Sequence, residues 1–81
     1  MGDSPLVEAA LWALHHFAHL DQANAQIHCS PVRYSPITFR LAAALNEHIP
    51  VGDDEVLDDV NDHAGRYPED RGRIELEAPT T

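Results

Sequence analysis

From Pro5 to about Leu20 apolar residues recur at three- and four-residue intervals, which predicts a first helix, with Ser4 as N-cap and Pro5 at the first helical position. On a helical wheel Leu6, Val7, Ala10, Leu11, Ala13, Leu14, Phe17, Ala18 and Leu20 share one half. Glu8, Trp12, His15, His16 and His19 share a narrow arc opposite, so a large aromatic sits among polar residues. Asp21 to Ala25 suits either an extension of this helix or a loop. Gln26 to Tyr34, with Ile27, Cys29, Val32 and Tyr34 interrupted by Ser30-Pro31, suits an extended segment or edge strand. Ser35-Pro36 opens a second helix to about His48, with Ile37, Leu41, Ala44, Leu45 and His48 on one stripe and Phe39 on the other side. Ile49-Pro50-Val51-Gly52 reads as a turn, after which Asp53 or Asp54 caps a third helix that Gly65 closes. Beyond Arg66, Tyr67-Pro68 and Gly72 act as breakers, and Arg73 to Glu77 alternates with period two, as a short strand pairing with Gln26–Tyr34 would. The expected fold is mainly α: one small three-helix domain over residues 1–77, with a minor two-stranded element left open, and a disordered tail over 78–81.

An 81-residue chain makes one domain. At that size only about 60% of the unfolded surface is buried, so the core is small, a large active-site cavity is not expected, and a homodimer is an open alternative. Fourteen Asp and Glu against five Lys and Arg give a net charge of -9. Such a polyanion is repelled by nucleic acid and by anionic membrane, so the expected partners are basic protein surfaces. All five cations are arginine, which fits GC-rich codon usage or a salty cytoplasm as well as any binding role. Cys29 is the lone cysteine, which excludes an intramolecular disulfide and points to a reducing compartment. No basic leader precedes Leu6–Leu14 and three histidines follow, so a cytoplasmic location is expected.

The third helix carries the densest chemistry. Asp54, Asp58 and Asp62 fall at i, i+4 and i+8, flanked by Asp53, Glu55 and Asp59, while Val56, Leu57, Val60 and Ala64 line the other side. Successive members of the stripe sit about 6 Å apart along the axis, near the spacing of phosphates on a nucleic-acid strand. Like charges this close cost roughly 0.2–0.5 kcal/mol per pair. The EF-hand order is absent, and carboxylates on a regular helix diverge, so a calcium loop is not expected. Acid–base work needs carboxylates whose burial separates their pKa values, and these face solvent.

His15 and His19, at i and i+4, can reach one metal ion, with His28 or Cys29 to complete a site, but the glutamate of the zinc-protease pattern is missing. Cys29 beside His28 is not expected to make a nucleophile–base pair, since neighbours in an extended segment point to opposite faces. No cofactor is expected. Trp12 needs a cover, from the Arg66–Leu76 segment, from a second copy or from a partner, where aromatic anchors are favoured.

In size, charge and its acidic helix the chain resembles the small acidic inhibitors carried by bacteriophages, anti-CRISPR proteins and other DNA mimics among them. Those proteins share no common fold or motif, so no residue role carries over. The resemblance implies a non-enzymatic inhibitor that docks on the positively charged surface of a DNA-targeting complex and blocks DNA access. The residues expected to do so are Asp53, Asp54, Glu55, Asp58, Asp59 and Asp62, with Trp12. Two readings of other classes stand beside it: a small metal-binding protein using His15, His19 and Cys29, and an oligomeric accessory protein whose acidic surface is solvent adaptation only.

Overall fold

A computed structural model describes residues 5–50 and 54–71. Three helices, α1 (Pro5–Ile27), α2 (Pro36–Asn46) and α3 (Glu55–Arg66), are followed by one helical turn at 68–71. The chain is mainly α, and no strand occurs among the described residues. The Ser4 cap, Asp53, the Val51-Gly52 part of the turn, the Gly72 breaker, the Arg73–Glu77 strand and the 78–81 tail lie outside the described residues.

α1 passes Leu20 and continues to Ile27, because neither Gly nor Pro interrupts the chain between Leu6 and Ser30 and Ala25 supplies one more buried position. This takes Gln26 and Ile27 out of the expected extended segment, and residues 30–35 form an irregular connection instead of an edge strand. The helix stops in a Schellman motif: Cys29 adopts a left-handed φ of 50°, its N–H donates to the Gln26 carbonyl at 3.2 Å, and Ser30 N–H donates to the Ala25 carbonyl at 2.9 Å. Cys29 therefore occupies the position that glycine usually fills, and Pro31 prevents the helix from resuming.

Ser35 caps α2 in an extended conformation, with Pro36 at the start of the helix, as the Ser-Pro pair predicts. α2 ends at Asn46 instead of His48, because the Glu47 and His48 amides turn back to Ala44 and Leu45 in a tighter coil ahead of Pro50. Its buried face also differs from the expected stripe: Thr38, Phe39, Ala42 and Leu45 are inside, whereas Ile37 is 51% exposed and Ala44 and His48 face outward. The cause is Asp21, near the C-terminal end of α1. Its carboxylate accepts from Ser35 N–H at 2.9 Å and from the Thr38 hydroxyl at 2.7 Å, and so holds Thr38, fully buried, against α1. A negative charge at the start of α2 also complements the helix dipole. Asp21→Ala removes the acceptor of two donors, one of them inaccessible to water, and should cost about 2 kcal/mol in chemical denaturation. An unchanged midpoint would show that water replaces the carboxylate.

α3 is capped by Asp54, whose carboxylate accepts from the Val56 and Leu57 amides. It runs through Gly65 and ends at Arg66, so Gly65 is not the terminator. Pro68 is: it disfavours helical geometry at Tyr67, which sits at φ -126° and ψ 70°. The core gathers Leu14 and Ala18 from α1, Tyr34 from the connection, Phe39, Ala42 and Leu45 from α2, and Leu57 and Val60 from α3. Asn46 and Asn61 exchange side-chain amide bonds of 3.1 and 3.3 Å, fixing α2 against α3.

Candidate functional site

Burial of Leu57 and Val60, with Val56 partly buried beside them, fixes the rotation of α3 and turns Glu55, Asp58, Asp59 and Asp62 outward. These four lie at i, i+3, i+4 and i+7, a compact patch across two turns, and all are exposed. Glu55 and Asp58 lie in the first turn, where the helix dipole favours negative charge. Asp62 lies where it does not, and there Arg66 Nε approaches its carboxylate at 3.4 Å, with both side chains well exposed. A pair so hydrated is worth little, and it leaves the patch strongly negative.

Asp54 is not part of that open face. Its side chain is only 15% exposed, one carboxylate oxygen caps the helix, and the other lies 3.3 Å from His15 Nε2 on α1. The stripe expected from Asp54, Asp58 and Asp62 therefore divides: Asp54 is a structural cap tied to α1, and Glu55 and Asp59 join Asp58 and Asp62 outside. Asp53 lies outside the described residues.

Trp12 remains 69% exposed, and its ring stacks on His16 with centroids 5.4 Å apart and planes 3° from parallel. It is on α1, and the acidic patch is on α3. The metal candidates are not brought together: His15 is engaged with Asp54, His19 faces solvent, and eight further residues of helix carry the chain about 12 Å along the axis before it reaches Cys29. Among the described residues no group of three His, Cys, Asp or Glu is placed to hold a metal ion.

A second constellation, missed from the sequence, joins α3 to the turn at 68–71. His63 and Asp70, 7% and 6% exposed, meet at 3.1 Å, and Arg33 Nη1 stands 3.6 Å from the same carboxylate oxygen. The His63 ring is packed among Tyr34, Phe39 and Tyr67, at centroid distances of 5.1, 5.7 and 4.6 Å, and the Arg33 guanidinium lies over Tyr67. A clue was present in the spacing, since His63 is in phase with Val56 and Val60 on the apolar side of α3. Burial pushes the Tyr34 phenol above its ordinary pKa, against the lowering effect of its hydrogen bond from Gln22 at 3.2 Å. Tyr34 is thus held as a neutral phenol, and the whole arrangement clasps the turn onto the helices.

No helix among the described residues is long and apolar enough to cross a membrane. Comparisons with protein-family models, with curated proteins and with solved structures found no match.

Proposed function

We propose that this protein is a non-enzymatic binding protein that lays the outer face of α3 on a basic, nucleic-acid-binding protein surface and so blocks access of DNA. The observation that carries this reading is the outward patch of Glu55, Asp58, Asp59 and Asp62, held on a helix whose opposite side is locked into the core. Four carboxylates within two turns repel one another, and apposed arginines or lysines would reverse the sign of that energy. The backing matters as much as the charge, because a fixed helix presents its carboxylates at defined spacing with little ordering cost on binding. An inhibitor of a DNA-targeting complex, of the anti-CRISPR kind, is the biological role that suits such a surface. Asp54 is left out, since its carboxylate is already committed to the cap.

Electrostatic docking of this type has a measurable signature. A partner captured from the native host should be displaced by duplex DNA, and its affinity should fall at least tenfold between about 0.05 and 0.2 M salt. Salt-independent binding that DNA does not disturb would remove the proposal.

A further inference from the structure

α1 carries two apolar seams, and only one of them is used. The inner seam, Val7, Leu11, Leu14, Ala18, Asp21 and Ala25, follows the alternating four- and three-residue spacing of a helix–helix contact and faces α2 and α3. Roughly opposite it runs a second series at the same spacing: Leu6, Ala9, Ala13, His16, Leu20 and Ala23, continued by Ile27. Ala13 is half-buried, the other members are exposed, and Leu6 and Ile27 are 81% and 74% so. Three heptads of a pattern broken only by His16 on the outside of a 23-residue helix are more than scattered surface apolar residues amount to.

We infer that this outer seam of α1 is the contact surface for a second copy of the chain, paired antiparallel about a two-fold axis. The reason for choosing a second copy is self-complementarity. In an antiparallel register Leu6 meets Ala23 of the partner copy, Ala9 meets Leu20 and Ala13 meets His16, so Leu6, His16 and Leu20 each face an alanine, while Ile27 lies beyond the paired stretch. A parallel pair would instead stack Leu20 on Leu20 and Ala23 on Ala23, giving alternately bulging and hollow layers. An isologous contact repeats each pairing twice, which makes one good register count double.

The charge distribution agrees. α1 holds only two charged residues, Glu8 and Asp21, and both lie off this seam, Asp21 being turned to α2. Two chains of net charge -9 can therefore approach along it without bringing carboxylates together in the contact. The paired stretch, Leu6 to Ala23, is about 26 Å long, and alanines at alternate layers allow the axes to come within about 8 Å. Trp12, stacked on His16 at the edge of the seam, adds a large apolar surface to the flank. A specific interface needs roughly 1,200 Å² in total, which the exposed Leu6, Trp12 and Leu20 of both copies, with the alanines between them, have to supply. The dimer is independent of the acidic patch on α3, whose residues take no part in it.

The test is sedimentation equilibrium of the full chain and three variants, each checked by circular dichroism. The wild type should be dimeric at about 0.1 mM. Leu20→Glu places a carboxylate in the seam while leaving the inner face of α1 untouched, and should raise the dissociation constant at least about 30-fold. Ala9→Leu, which sets leucine against Leu20, should weaken the pair about tenfold, and the exchange Ala9→Leu with Leu20→Ala should restore it. A wild type monomeric at this concentration, or a Leu20→Glu chain as dimeric as wild type, overturns the dimer. Tighter association of Ala9→Leu, or an exchange variant no better than Ala9→Leu alone, overturns the antiparallel register.

Discussion

His63→Ala is expected to destabilise the fold by about 3 kcal/mol, an effect large enough to depress the thermal midpoint by well over ten degrees in a domain of this size. The imidazole does two things that alanine cannot do. It meets the Asp70 carboxylate in a place where neither is more than 7% exposed, and it fills the space between Tyr34, Phe39 and Tyr67. Its removal takes from Asp70 its nearest partner, leaving Arg33 at 3.6 Å, and opens the aromatic cluster. Asp70→Asn keeps an acceptor for the ring and should cost only about 1 kcal/mol. The comparison to make is with His48→Ala in the exposed turn that follows α2, which should be neutral within about 0.5 kcal/mol. Equal, small effects of both histidine changes would mean that the clasp contributes nothing to stability.

Leu14→Ala should cost about 3 kcal/mol, and Leu20→Ala in the same helix less than about 0.5 kcal/mol when measured on the monomer. Leu14 is fully buried at the centre of the cluster to which all three helices contribute, whereas Leu20 is 51% exposed on the outer seam. Total stability for 81 residues, at roughly 0.05–0.15 kcal/mol per residue, is of the same order as the loss at Leu14. Urea titrations at concentrations below dimer formation separate the two. Comparable losses at Leu14 and Leu20 would place the core boundary of α1 wrongly.

The pair also shows where the sequence was legible and where it was not. Proline after serine marks the start of α2, and period 3.6 marks the apolar side of α3, because both signals are local. The wheel makes the apolar half of α1 a single face, yet of its members Val7, Ala10, Leu11, Leu14 and Ala18 pack in the core, and Leu6 and Leu20 do not. A wheel shows which residues share a side, but tertiary packing decides how wide a strip the neighbours cover. Thr38 was invisible for a different reason. Its burial depends on Asp21, seventeen positions away, and no periodicity announces a threonine whose hydroxyl is answered across a helix junction. In the same way Asp54 counted as one charge among six until its carboxylate proved to hold the first turn of α3 and face His15. The acidic patch survives this revision with altered membership: four carboxylates project outward, in a tighter group than the i, i+4, i+8 stripe.

Capture of partners from the native host, with wild-type chain compared with the Glu55→Gln, Asp58→Asn, Asp59→Asn, Asp62→Asn variant, tests the docking role of that patch most directly. The substitutions keep side-chain size and spare the Asp54 cap, so circular dichroism should show an unchanged helix content. Loss of the DNA-displaceable partner by at least about tenfold is the expected result. Undiminished recovery of the same partner on a folded variant would contradict it.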